Sequence, residues 1–304
     1  MAVKALLHYA LEVPDQGAGE KFYTSFGLTT AASRDNAVRL RPARVERESV
    51  LLYAGPKKRL HHLAFGAPGD EYEATREAVK RAGVREADPP RGAPGGGFWL
   101  RDPDGNAVNV RPEGRVVPPA DPPLAINSPG HIEREIRRAC PEAGAGTAPR
   151  RLGHVLLFAG DLDRQVDFYT RVLGLKLSDR CQRIIAFLRC TTDHHNLAFL
   201  ASRGPGFHHG SFEVGSVDEI AMGAQRMLDA GRPPGWGLGR HVIGSNFFYY
   251  VRDPWGSFAE YYHDLDYIPE PCAWEPRDFP EGDALFRWGP PCPEDFGLNR
   301  ELES

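Results

Sequence analysis

The sequence has few cysteines and no close cysteine pair. Its 304 residues include five cysteines at irregular spacings, without a Cys-x-x-Cys motif. This pattern favours neither a disulfide framework nor a thiolate zinc site. We therefore expect a reducing compartment, the cytoplasm. The first residues show no long apolar run before a small-residue cleavage site, so the sequence indicates no secretory signal.

The chain also has no large excess of either positive or negative charge and no long hydrophobic run. The formal net charge is only -4, which indicates neither a nucleic-acid partner nor binding to an anionic membrane. No apolar run approaches the roughly 20 residues that cross a bilayer. The length suits about two domains of roughly 150 residues each.

A weak internal repeat is the main organising feature that the sequence does have. His8 and His154 each stand fourteen residues before the phenylalanine of a Phe-Tyr-Thr sequence. In both halves an amphipathic helix follows later and is predicted to end at a glycine, Gly83 or Gly231. Each half then has two strands joined by an Asp-Pro-x-Gly turn, so each half is predicted to contain two βαβ-type units with short hairpins.

These patterns divide the chain into four segments. Residues 1–111 are predicted to form an N-terminal module and residues 151–267 a C-terminal module. The proline- and glycine-rich segment 112–150 is predicted to be a linker with one short helix in HIEREIRRAC. The tail, residues 268–304, keeps several aromatic residues, so we expect it to pack on the body; a disordered tail is the alternative.

The second half concentrates histidines, several of them in predicted strands. They are His154, His194, His195, His208, His209, His241 and His263. A buried imidazole requires a hydrogen bond or a metal, and Glu260 lies in the apolar strand FAEYY, where a carboxylate also requires a partner. A single strand histidine is more often a hydrogen-bonded core residue. Two histidines and one carboxylate on separate strands, however, would form a face that suits Fe(II) with open positions.

This joint pattern resembles the type I extradiol dioxygenases of the vicinal oxygen chelate superfamily, over essentially residues 1–267. GHVLLFAGDLDRQVDFYTRVLGL resembles the family's first-ligand strand and helix, and FHHGSFEV resembles its second-ligand strand. GRHVIGSNFFYYVRDPWGSFAEYY resembles the longest signature. The resemblance implies that His154, His209 and Glu260 are the metal ligands.

The same resemblance implies roles for other residues and a fold. DHHNLAF resembles the strand with the family's acid–base histidine, here His195. His241 and Tyr250 would bond substrate and oxygen, and Asn246 is a candidate substrate contact. The fold class implied is α+β, with two tandem modules of paired βαβββ units, each forming a curved mixed β-sheet around a metal cavity.

The first half matches this pattern only in part. His8 and His62 occupy the two histidine positions, but Asn109 replaces the carboxylate and Trp99 replaces the tyrosine. An amide is a poor substitute for an anionic ligand. We interpret this half as a vestigial module with a structural role.

The resemblance implies an oxidoreductase that inserts both atoms of O2 into a catechol-type diol, giving a muconic semialdehyde-type product. Its cofactor would be Fe(II), with Mn(II) as the other metal that accepts such ligands. We expect a homo-oligomer without nucleic-acid or membrane partners. The aromatic-rich tail, with Trp236, Trp255 and Phe207 near the predicted site strands, would suit a bulky or bicyclic diol such as dihydroxybiphenyl. The alternatives are a glyoxalase or isomerase of the same fold, and a non-enzymatic ligand-sequestering protein.

Overall fold

The chain folds into two mixed β-sheets, one built mainly from each half. The computed structural model describes residues 2–31, 36–122, 124–136 and 146–303. The first half contains β1 (Ala5–Val13), α1 (Gln16–Phe26), β2 (Leu28–Thr30), β3 (Val38–Pro42), β4 (Val50–Ala54), β5 (Arg59–Gly66), α2 (Asp70–Arg81), β6 (Phe98–Arg101) and β7 (Ala107–Arg111). The second half contains β8 (Arg151–Ala159), α3 (Leu162–Arg171), β9 (Lys176–Cys181), β10 (Ile185–Arg189), β11 (Leu197–Ala201), β12 (Gly206–Glu213), α4 (Val217–Asp229), β13 (Pro234–His241), β14 (Phe247–Arg252) and β15 (Phe258–His263).

The two sheets repeat one topology. The first has the strand order β2-β3-β4-β1-β5-β7-β6. The second has the order β9-β10-β11-β8-β12-β15-β14-β13, with one further short strand at each edge. In each sheet two units meet where their first strands pair antiparallel, β1 with β5 and β8 with β12. Three of the four units are βαβββ, and the second unit of the first sheet, β5-α2-β6-β7, has one strand fewer. The predicted α+β fold with two tandem modules is confirmed.

Short sequence signals fix the ends of the helices. Asp15 and Asp161 cap α1 and α3, and each side chain accepts a hydrogen bond from the backbone N–H three residues on. Such a cap satisfies one of the free N–H groups at a helix start. Gly83 and Gly231 follow α2 and α4 with φ of 75° and 74°. This left-handed conformation favours glycine, and the two helix ends predicted from these residues are confirmed.

The Asp-Pro-x-Gly turns are built alike in both halves. Asp102 and Asp253 each accept hydrogen bonds from the backbone N–H groups two and four residues on. Gly105 and Gly256 both have φ of 85°. These turns set the register of the β6–β7 and β14–β15 hairpins and so place the residues that follow them on a defined face.

Aromatic residues join the two modules into one core. Phe26 stacks on Tyr261 at a ring-centroid distance of 3.9 Å, and Tyr9 stacks on Phe207 at 4.9 Å. Trp255 packs against α1, where a Cβ on Gly19 would lie 2.9 Å from its ring. Phe207, on β12, and Trp255 therefore stabilise the contact between the two modules.

The tail adds elements to the second sheet. It contributes β16 (Arg277–Asp278), a 3₁₀ turn (Glu281–Asp283), β17 (Phe286–Trp288) and a second 3₁₀ turn (Arg300–Leu302). β16 pairs with β9 and β17 with β13, while Asp295 forms ion pairs with Arg252 and Arg300. The tail thus lies along both edges of the second sheet.

The predicted linker helix is not seen in the part of HIEREIRRAC that the structure describes. Residues 131–136 are not helical, and His131 instead forms an isolated β-bridge with Ser128. The remaining residues of that sequence, 137–140, lie outside the described residues. Within the described ranges, no helix has the length and apolar character required to cross a membrane.

Candidate metal centre and cavity

Three buried side chains meet on one face of the second sheet. β12 lies between β8 and β15, and its Ser211 is in register with His154 on one side and with Glu260 on the other. His209 precedes Ser211 by two residues and therefore points to the same face. One ligand atom from each of His154, His209 and Glu260 lies within 4.8 Å of the others. The strand order thus gathers three predicted ligands that are far apart in the sequence.

Glu260 is a fully buried carboxylate between two imidazoles. Its Oε2 lies 3.0 Å from Nε2 of His154 and 3.4 Å from Nε2 of His209. Burial alone would raise the pKa of Glu260, but the two imidazoles outweigh burial and hold the pKa well below its usual range. The site therefore contains a buried, ionised carboxylate.

His208 sets the position of the proton on His209. Burial lowers the pKa of both rings, so both are neutral near pH 7. His208 Nε2 donates to the carbonyl oxygen of Phe296 at 2.7 Å, which leaves His208 Nδ1 without a proton. His209 Nδ1 lies 2.7 Å from that nitrogen and donates to it. The lone pair of His209 Nε2 is therefore free and faces Glu260.

The unpartnered Nε2 of His209 tests whether a metal fits between the three side chains. His209 Nε2 is buried and has no hydrogen-bond partner among the described residues. Buried polar atoms are almost always partnered, and a cation between His209, His154 and Glu260 would be the missing partner. Two imidazoles and one carboxylate form the donor set that suits Fe(II) and Mn(II). The residues present therefore fit a divalent metal.

The predicted substrate-binding residues lie beside these three side chains. His241 Nδ1 donates to the carbonyl oxygen of Leu285 at 2.7 Å, so its Nε2 accepts from the Tyr250 hydroxyl at 3.0 Å. Burial lowers the pKa of His241 to about 4 and raises the pKa of Tyr250 well above its usual range. Asn246 Nδ2 donates to Glu260 Oε1 at 3.4 Å. The structure therefore brings together His241, Tyr250 and Asn246 as donors and acceptors beside the metal centre.

His195 lies on the other side of His154, at a ring-centroid distance of 4.2 Å. Burial, with the nearby His154 and His194, holds the pKa of His195 well below its usual range, so the ring is neutral. Behind it, His194 bonds to Asp179, which is buried in strand β9. Asp179 is thus a buried strand residue whose carboxylate contacts His194.

A cavity of about 280 Å³ opens onto the metal centre. His195, His241, Asn246 and Tyr250 line it together with the three predicted ligands. Its remaining wall is largely apolar and comes from β9–β10, the loop after β13 and the tail. Principal apolar residues are Ile184, Ile185, Phe187, Ile243 and Leu285. Trp236, expected near the site, does not line the cavity and stacks behind Tyr250 at 5.6 Å.

The equivalent position in the first half keeps the histidines but not the charge. The rings of His8 and His62 lie 5.1 Å apart at 82°, close to the 5.5 Å and 77° of His154 and His209. Their Nε2 atoms, however, hydrogen-bond to each other at 3.0 Å. Asn109 is buried and donates to two backbone carbonyls. Among the described residues, a group of three His, Cys, Asp or Glu that could hold a metal occurs only in the second half.

Sequence reasoning missed the tail residues Leu285 and Phe296. Both act at the site through backbone carbonyls, and any residue type offers such an acceptor. The sequence therefore contains no signal that could have identified them.

Comparison with known proteins places this site in a family. Residues 5–110 and 151–261 match the Glyoxalase/Bleomycin resistance protein/Dioxygenase superfamily. The chain is 41% identical to Metapyrocatechase 2 of Cupriavidus necator, over 99% of this chain and 93% of that protein. It is 28% identical to biphenyl-2,3-diol 1,2-dioxygenase of Paraburkholderia xenovorans, over 86% of this chain and 88% of that protein.

Among solved structures, the Mn(II)-bound glyoxalase from Novosphingobium aromaticivorans superposes with a TM-score of 0.77 at 25% identity, covering 99% of both chains. This similarity extends through the linker and the tail. Both halves match the superfamily, and the identity to a metapyrocatechase spans nearly the full length of both proteins. The chain therefore belongs to the glyoxalase/bleomycin resistance protein/dioxygenase superfamily and, within it, to the extradiol dioxygenases.

Proposed function

We propose that this protein cleaves the ring of a catechol-type diol next to its two hydroxyl groups, at an Fe(II) site held by His154, His209 and Glu260. Both atoms of O2 enter the product, a muconic semialdehyde-type acid, and no further reductant is consumed. The observation that carries the proposal is the buried group of three ligands, within 4.8 Å of one another, at the end of a mostly apolar cavity. The family supports it independently.

His154, His209 and Glu260 would hold the metal, and the cavity opens onto these three side chains. When bound, Fe(II) would supply a path for electrons from the chelated diol to O2. Glu260 supplies the only anionic protein ligand, so an anionic diol would complete the neutralisation of the dication. The donor set accepts both Fe(II) and Mn(II), and we propose Fe(II) as the metal of this protein.

The surrounding residues handle protons and hydrogen bonds. His195 is neutral and borders the cavity, so it is placed to take a proton from a diol hydroxyl and return it later. Tyr250 remains protonated and donates to Nε2 of His241, whose ring is held by the carbonyl oxygen of Leu285. Asn246 adds an amide beside Glu260. These groups would stabilise charge that develops on oxygen during the reaction.

The wall of the cavity predicts the substituent on the diol. Among the described residues that line the cavity there is no Lys or Arg, and Glu281 is the one acidic residue besides the ligand Glu260. The volume lies near the lower end of ligand pockets, which begin at about 300 Å³. A neutral diol with an apolar substituent therefore fits, and a carboxylated diol would meet repulsion without a counter-charge.

The test is anaerobic reconstitution with Fe(II), followed by aerobic assay against a panel of diols. Catechol, 3-methylcatechol, 2,3-dihydroxybiphenyl and 3,4-dihydroxybenzoate cover apolar, bulky and anionic substituents. We expect a yellow ring-cleavage product, one O2 consumed per diol and two ¹⁸O atoms incorporated from ¹⁸O2. Protein loaded with redox-inactive Zn(II) is the control, and Mn(II) protein decides between the two metals.

The structural likeness to a glyoxalase makes isomerisation the second candidate. The same preparations should therefore also be assayed without O2 on the hemithioacetal of methylglyoxal and glutathione. Turnover of that substrate, with no consumption of O2 on any diol, would overturn the dioxygenase proposal. Binding of diols without turnover of either substrate would instead indicate a sequestering protein.

A further inference from the structure

Three His-His pairs in the chain share one hydrogen-bonded arrangement. The Nδ1–Nδ1 distances are 2.7, 3.0 and 2.7 Å in His61–His62, His194–His195 and His208–His209. In each pair, Nε2 of the first histidine faces an oxygen atom. For His61 and His208 that oxygen is a backbone carbonyl. For His194 it is the carboxylate of Asp179, at 2.9 Å.

The chain of contacts determines which nitrogen of His195 is protonated. A carboxylate only accepts, so His194 Nε2 carries the proton that is donated to Asp179. With that proton on Nε2, His194 Nδ1 accepts from His195 Nδ1, which lies 3.0 Å away. His195 Nε2 is left as a lone pair, and no described residue bonds to it. Since His195 lines the cavity, this lone pair is available to a substrate there.

We propose that Asp179 and His194 are positioning residues that hold His195 in the tautomer with a bare Nε2, ready to accept a proton from the bound diol. The inference rests on the proposed function for its chemical consequence, but the tautomer itself is a property of the protein alone. It assigns a role to a carboxylate that touches neither the metal ligands nor the cavity.

The surroundings leave this arrangement little freedom. Asp179 and His194 are buried, with 4% and 0% of their surface exposed. Asp179 Oδ1 accepts the backbone N–H of Arg277 at 2.7 Å, so both carboxylate oxygens are engaged. The indole of Trp274 packs edge-on against His194 at 5.8 Å. The tail therefore fixes Asp179, and Asp179 orients His194.

The contact with Arg277 makes Asp179→Asn a directed test. An asparagine must place its oxygen against the Arg277 N–H, because two donors would otherwise face each other. Its NH2 group then faces His194 Nε2 and donates to it, which moves the proton of His194 to Nδ1. His195 Nδ1 becomes the acceptor, and its proton moves to Nε2. An isosteric change should thus reverse the tautomer of His195 and remove the base.

The tautomer is read by ¹⁵N NMR of the full-length, metal-free protein with ¹⁵N-labelled histidine, because protonated and bare ring nitrogens resonate far apart. His195→Gln assigns the resonances. With iron loaded, Asp179→Asn should lower kcat by about 10-fold to 10⁴-fold, with little change in KM. The matched control is Asp163→Asn, which removes a partly exposed ion pair to Arg180 next to Asp179 and should change neither readout.

If Asp179→Asn does not fold, a second pair of variants at His194 tests the same proposal. His194→Phe removes the acceptor of His195 Nδ1 and should lower kcat, whereas His194→Gln offers an amide oxygen to the same proton and should restore part of it. Equal kcat in both variants would overturn the proposal, as would an unchanged His195 tautomer in Asp179→Asn. If wild type cleaves no diol, the proposed function fails, while the NMR result still decides the positioning role.

Discussion

Glu260→Gln is the substitution that tests the metal centre most directly. Glutamine keeps the size of the side chain and removes its charge, at a position with 0% exposure. Its amide oxygen can still accept from Nε2 of His154, which lies 3.0 Å away in the wild type. The substitution therefore separates the charge of the ligand from its shape. Metal affinity should change far more than the stability of the metal-free protein.

The size of the effect follows from the burial of the site. Two neutral imidazoles would face a dication with no protein anion to offset it. Removing one partner of a buried charge pair costs about 3–5 kcal/mol, and about 1.4 kcal/mol corresponds to a tenfold change in affinity. We therefore expect metal affinity to fall by about 10²- to 10⁴-fold. A catechol, which supplies charge and two oxygen ligands, should restore part of the affinity.

The assay is anaerobic titration with Fe(II) and measurement of bound iron after gel filtration, with and without catechol. Glu213→Gln is the matched control, because Glu213 lies on β12 and pairs with Arg151 outside the site. His8→Ala removes the equivalent of His154 in the first half and should leave iron content unchanged. Equal iron content in wild type and Glu260→Gln would show that Glu260 is not a ligand, and the proposed metal centre would be refuted.

Three further predictions concern other residues. His195→Ala should retain iron but lose about 10²- to 10⁴-fold in turnover; loss of iron would show that His195 has been assigned the wrong role. Wild type should bind one metal per chain by elemental analysis, and two equivalents would contradict a vestigial first half. Asn109→Glu should raise the metal content toward two per chain, because His8 and His62 keep the ligand geometry. Burial lowers the pKa of His8 from 6.5 to about 3, so the unfolded state binds an additional proton at pH values between these two. The free energy of unfolding should therefore fall with decreasing pH below 6.5, by about 1.4 kcal/mol per pH unit for this residue. His8→Asn should flatten that slope in urea unfolding, and an unchanged slope would show that His8 is charged in the folded protein.

The sequence by itself determined the elements and the choice of candidate ligands. Cap residues such as Asp161, and glycines such as Gly231, act on the backbone within a few residues, so their effects are visible in the local sequence. The repeated pattern of strands, helices and turns then fixed the two-module fold. The resemblance of three segments to the extradiol dioxygenases then selected His154, His209 and Glu260 as the candidate ligands.

Only the tertiary structure decided the protonation of the site and the shape of its cavity. The tautomers of His209 and His241 depend on carbonyl oxygens of Phe296 and Leu285, which the tail brings across the cavity. The same packing buries Asp179 against His194, which contacts His195. A backbone carbonyl accepts a proton whatever its side chain, and a buried carboxylate is defined by its neighbours in space. Such contacts join residues that are remote in sequence, so no local pattern records them.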